Sequence, residues 1–275
     1  MNLGPAVAAL TDFAYPLLVA AAIAVARALG MIMLTPAFVR LGLTGMIRSA
    51  VAFAISLPMI FPIFQQLAVR GQPTSFDLTG LLLKEMVIGA LIGLVFGIPF
   101  WAAEVAGDLV DLQRGSTMSQ LVDPLGAGES SITATLLTIT LLAMFFMTGG
   151  FTLLLGGFYR SYEIWPAASF VPVLNASAFT GILHILDRIM QIGVLIIAPL
   201  VIAILMADVM MAFLSRMAPQ LHVFDLSMAV KNLFFSFLMV LYISFLVPLL
   251  LDQLRESHGT FEILRGFVSN SEAMR

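Results

Sequence analysis

The sequence predicts an all-α membrane protein with about six hydrophobic helical segments, several of them kinked or broken, and a polar loop after the third. Three observations carry this prediction. Hydrophobic residues make up 60% of the 275 and charged residues only 11%, with a mean hydropathy of +1.04; a soluble domain carries roughly a quarter charged residues to cover its surface. The charges fence off long uncharged runs close to the ~20 residues that a membrane-crossing helix needs. Pro16, Pro58, Pro62, Pro99, Pro199 and Pro248 lie inside or at the ends of those runs, where each removes a backbone donor and bends or breaks a helix.

Taken in order, the runs are 13–39 (interrupted by Arg27), 49–69, 86–103, 130–159, 189–207 and 232–251. The fourth is long enough for a tilted helix or a short hairpin, and Gly149-Gly150 and Gly156-Gly157 offer places to turn. A basic n-region is missing before the first run, where Asp12 is the only charge ahead of Arg27, so that run is expected to be retained rather than cleaved. Alternating the runs across a membrane places Arg70, Lys84, Arg160, Arg188 and the tail arginines on one side, and Arg40, Arg48, Arg114, Arg216 and Lys231 on the other. That is a poor positive-inside signal. The simplest division is one membrane domain over 1–251, its last helical hairpin about 189–251, followed by a polar C-terminal tail, 252–275.

Several classes of chemistry have no residues to carry them. There is no cysteine, hence no thiolate metal site or thiol nucleophile. Phosphate-binding, dinucleotide, zinc-protease and serine-hydrolase signatures are absent, and His184, His222 and His258 are isolated in the sequence. No enzyme activity, cofactor or metal is expected. A net charge of −3 gives no argument for nucleic acid.

The remaining features are polar groups in an apolar chain. Arg27 must pair, snorkel or face a wet space, because an unpaired arginine at mid-bilayer costs on the order of 3 kcal/mol; the plain expectation is snorkelling. Gly89, Gly93 and Gly97 recur every four residues in VIGALIGLVFGIPFW, and so share a helix face that permits close backbone approach, either within the chain or to another subunit. Glu104, Asp108 and Asp111 form an acidic stripe at i, i+4, i+7 if the third helix continues past Ala103. Then follows QRGSTMSQ: Gln113, Arg114, Gly115, Ser116, Thr117, Met118, Ser119 and Gln120, too polar for lipid and read from its residues alone as a loop. Asp208, Arg216 and Lys231 bracket Pro219 between the fifth and sixth runs, as a polar connection or as a set of subunit contacts.

Three separated blocks, KEMVIGALIGLVFGIPFWAAEVAGDLVDLQRGSTMSQLVDPL, GGFYRSYEIWP and DVMMAFLSRMAPQLHVFDLSMAVK, resemble the inner-membrane export-gate subunit of bacterial type III secretion systems, whose flagellar member is FliR and whose injectisome member is SctT. The FYRSYEIWP stretch is more similar to the injectisome branch. The resemblance implies a multi-pass protein of the bacterial inner membrane. It also implies partners: five copies of one small membrane protein, four of another, and a switch/autoprotease subunit, with unfolded secreted proteins as substrates passing through the centre. In this family the N-terminal part is similar to the five-copy partner and the last hairpin to the four-copy one, and the loop corresponding to 113–120 plugs the conduit. A small-molecule transporter or channel is the main rival reading, since broken helices and acids at membrane depth occur there too.

Overall fold

The computed structural model describes residues 4–115, 121–122, 129–170, 176–217 and 223–256. These form eight helices and one small β pair: α1 (Gly4–Leu34), α2 (Pro36–Arg40), α3 (Gly45–Arg70), α4 (Ser75–Arg114), β1 (Leu121–Val122), β2 (Glu129–Ser130), α5 (Ile132–Met147), α6 (Gly150–Ile164), α7 (Ala176–Met217) and α8 (Val223–Glu256). β1 and β2 are antiparallel, with Leu121 opposite Ser130. Five helices are long and apolar enough to cross a membrane, and a sixth crossing is counted if α5 and α6 are one span broken at Thr148 and Gly149. Pro219 and residues 257–275 lie outside the described residues.

The helices outrun the apolar runs that announce them. α4 has 40 residues and α7 has 42, about 60 Å each at 1.5 Å per residue, twice the ~30 Å hydrocarbon layer. α4 begins early because Thr74 and Asp77 cap it: the Thr74 hydroxyl donates to Asp77 Oδ2 (2.7 Å) and accepts from Asp77 N (3.3 Å). The six prolines sit inside uninterrupted helices. The first run breaks at Thr35, between α1 and α2, and the fourth at Gly149, whose φ of +80° is a left-handed conformation that glycine adopts without steric cost.

The described chain divides into two compact units, one holding residues 1–97 and 150–182, the other 98–149 and 183–257. In the first, α1 packs along α3, and Tyr159 of α6 donates to the Ile55 carbonyl of α3 (3.0 Å). α1 and α4 meet backbone to backbone. A Cβ on Gly30 would fall on Met86 O, one on Gly89 would fall on Arg27 O, and one on Gly93 would lie 2.5 Å from Met31 O. Gly97 is buried on the same helix. In the second unit, α4 meets α5 backbone to backbone and α7 less closely: a Cβ on Gly107 would strike the Ala134 backbone, and one on Gly193 would lie 3.0 Å from Ala102 O.

Replacing Gly93 by Leu drives a side chain into the α1 backbone, which cannot yield as a side-chain tip can. We expect a loss of about 1–3 kcal/mol, read as a lower thermal unfolding midpoint of the detergent-purified chain. Gly156→Leu, where nothing lies within 4 Å of the added Cβ, is the comparison; equal midpoints for the two variants would contradict the close crossing.

Candidate functional site

Polar side chains gather at two places, one in each unit. The first surrounds Arg27, which is fully buried on α1. Its Nε donates to Glu85 Oε2 of α4 (2.5 Å), its Nη1 to Ser161 Oγ of α6 (2.8 Å) and its Nη2 to Trp165 O (2.8 Å). The guanidinium also lies 3.7 Å from the Tyr162 ring centroid, close enough for cation–π attraction. Arg27 therefore pairs, and the snorkelling expectation is corrected: the partner carboxylate is itself 0% exposed, so neither charge reaches water.

Glu85 is shared. Lys84 Nζ lies 2.7 Å from its Oε1, an ionic contact without hydrogen-bond alignment, and the same ammonium donates to Pro166 O (2.9 Å), Ala167 O (3.3 Å) and Ser169 O (2.7 Å). Two cations thus hold the carbonyls of one non-helical segment after α6. Inside an apolar protein such carbonyls require donors, since an unsatisfied buried backbone group costs as much as a lost hydrogen bond. The Tyr162 hydroxyl and Trp165 indole N–H are buried without a hydrogen-bond partner among the described residues; these two rings serve by their faces and bulk.

The second cluster lies where α4 ends. Glu104, Asp108 and Asp111 are all helical, because α4 continues to Arg114. Glu104 and Asp108 are half-buried, and Asp111 is 2% exposed. Its Oδ1 accepts from Arg114 Nε (2.8 Å) and from the Thr133 hydroxyl (2.6 Å), and its Oδ2 accepts from Thr133 N (3.0 Å). Thr133 stands in the first turn of α5, where backbone N–H groups have no intrahelical acceptor. Ser131 caps the same turn by accepting from Ala134 N (2.9 Å). A carboxylate placed there also complements the positive end of the helix dipole.

Gln113 and Arg114 form the last turn of α4, and Gly115 leaves it with φ +77°. Ser116, Thr117, Met118, Ser119 and Gln120 lie outside the described residues. Asp208 of α7 pairs with Lys231 of α8 at 3.0 Å, and Lys231 Nζ is 3.4 Å from Gln113 O. Arg216 is exposed in the last turn of α7. Gly89 and Gly93 belong to the α1–α4 crossing beside Arg27.

Reading the sequence by its charges left out Glu85, Ser161, Tyr162, Trp165 and Thr133. A signal for Glu85 existed: it precedes Gly89 and Gly93 at four-residue intervals, so it occupies the face along which α4 touches its neighbour. Thr133 carried none, because its role is set by the return of the chain to α4. No group of three or more metal-ligating side chains is present among the described residues.

The family described as bacterial export proteins, family 1, matches residues 18–257. Over 201 residues the chain is 38% identical to Yop proteins translocation protein T of Yersinia pestis, covering 72% of this chain and 75% of that protein. It is 31% identical over 231 residues to secretion system apparatus protein SsaT of Salmonella typhimurium (83% and 87% covered). To the flagellar biosynthetic protein FliR of Caulobacter vibrioides it is 25% identical over 236 residues (86% and 93% covered).

Glu85→Ala strands Arg27 as a buried, unpaired cation. Breaking a buried pair from one side costs about 3–5 kcal/mol, whereas removing both charges costs far less. The Arg27→Met/Glu85→Leu double variant should therefore unfold at a higher temperature than Glu85→Ala alone. A double variant no more stable than the single one would contradict the pairing.

Proposed function

This chain belongs to bacterial export proteins, family 1, and on that premise we propose that it is the export-gate subunit of a type III secretion system of the injectisome branch. It is a multi-pass inner-membrane protein that helps form and seal the conduit through which unfolded proteins leave the cytoplasm. The observation that carries this reading is the family match across 18–257, together with higher identity to the Yop translocation and SsaT proteins than to flagellar FliR. A small-molecule transporter has no such support. A structural role in a secretion apparatus also agrees with a chain whose chemistry is helix packing and buried ion pairs.

Association with other secretion subunits follows from that membership. The finer assignment, to a five-copy and a four-copy membrane partner and a switch/autoprotease subunit, is part of the proposal. So is Arg216 as a subunit contact. It is supported by the apolar side chains that α7 and α8 leave exposed, among them Leu195, Met206, Phe213, Phe237, Val240 and Phe245; faces of this size suit lipid or neighbouring helices. Residues 113–120 are proposed as the closure of the conduit, by the resemblance of that block to the family's plug.

Two measurements test this. Co-expressed with the other gate membrane proteins, the chain should appear in a defined complex by native mass spectrometry; a stable chain that never co-purifies with them would overturn the assignment. Deleting residues 116–119 should leave the complex assembled and raise its ion conductance in planar bilayers. An assembled complex with unchanged current would remove the closure role from this segment.

A further inference from the structure

The last turn of α4 is held twice, by groups of different origin. The first hold is the Asp111 carboxylate, which binds Arg114 on its own helix and both the N–H and the hydroxyl of Thr133 at the start of α5. The second comes from α8. Lys231 donates to Gln113 O, a carbonyl in the terminal turn that has no intrahelical donor, and the cation complements the negative end of the helix. Four residues on, the Phe235 ring lies 4.6 Å beneath the Arg114 guanidinium. Three residues before Lys231, the Met228 methyl sits 3.3 Å from where a side chain on Gly115 would begin. Met228, Lys231 and Phe235 share one helical face, and residues 113–115 lie against it.

We infer that Lys231 and Asp111 are positioning residues for the chain where it leaves α4, and that Lys231 couples the α7–α8 hairpin to that exit. The coupling runs through a continuous set of contacts, Asp208 on α7 to Lys231 on α8 to Gln113 on α4. Whatever fixes the hairpin, such as a neighbouring subunit, then also fixes residues 113–115 at the end of α4. By reciprocity, ordering that exit favours the docked hairpin by the same factor. Its bearing on conduit closure rests on the proposed function; the coupling itself does not.

Hydrogen exchange on the purified assembled complex tests it. Lys231→Met should raise amide exchange in 108–115 about tenfold, the loss expected of one charge-assisted hydrogen bond, and Lys231→Arg should restore most of the protection. Asp208→Asn, on the other helix at a side chain 35% exposed, should shift the same peptide in the same direction, and it carries the test if Lys231→Met does not assemble. Unchanged exchange in 108–115 overturns the coupling, as does an increase spread evenly over α7 and α8, which is general loosening. Conductance read in parallel separates the two ideas. Raised exchange with unchanged current retains the coupling and removes the closure reading; unchanged exchange removes the coupling whatever the current does.

Discussion

The buried Arg27–Glu85 pair is the constraint on which the first unit depends. Two charges at 0% exposure are stable only if their mutual attraction and their remaining hydrogen-bond capacity offset the loss of hydration. That requirement brings the rest of the unit with it. α1 and α4 must approach within backbone contact, which Gly30, Gly89 and Gly93 permit. α6 must present Ser161 and the face of Tyr162, and the chain after α6 must turn its carbonyls inward. Apolar contacts between helices in an apolar medium discriminate poorly between registers. A shift of α1 by one residue along α4 would separate both charges from their partners, so the pair selects one register.

The second unit solves a different problem with similar means. A helix that ends inside a protein exposes unpaired carbonyls, and one that begins there exposes unpaired N–H groups. At the junction of α4 and α5 these are met by side chains: Asp111 and Ser131 accept from the start of α5, and Lys231 donates to the end of α4. α4 carries an acid for each task. Glu85 belongs to a helix-to-helix contact, and Asp111 to a helix terminus.

The helical class and the apolar segments were legible in the sequence, and the break in the fourth run was narrowed to two glycine pairs, of which Gly149-Gly150 marks it and Gly156-Gly157 lies inside α6. The extents of α4 and α7 were less so. Residues such as Lys84, Glu85, Glu104 and Asp108 read as the edges of a membrane span, yet all are helical residues of a longer element. The stripe of Glu104, Asp108 and Asp111 follows from spacing alone, but not which acid is buried, since that depends on Thr133, 22 residues further on and beyond an intervening connection. Arg27 was visible as an anomaly. Its partner was only half visible: the four-residue spacing of Glu85, Gly89 and Gly93 puts Glu85 on a contact face, but nothing local says that Arg27, 58 positions away, is what meets it there.

The same bonds explain in part why the positive-inside pattern is so faint. That rule reports on cations held in water beside the membrane. Arg27 is fully buried, and the side chains of Lys84, Arg114 and Lys231 are only 12–16% exposed. All four are occupied with carboxylates, carbonyls or aromatic faces of the protein. Counted as topology signals, Lys84, Arg114 and Lys231 dilute the rule; as hydrogen-bond donors, Arg27 and Lys84 hold the non-helical backbone at 165–169 and Lys231 holds the last turn of α4. Of the twelve cations that flank the runs, setting aside Lys84, Arg114 and Lys231 leaves six on one side against three on the other, so these internal contacts account for part of the faintness of the pattern.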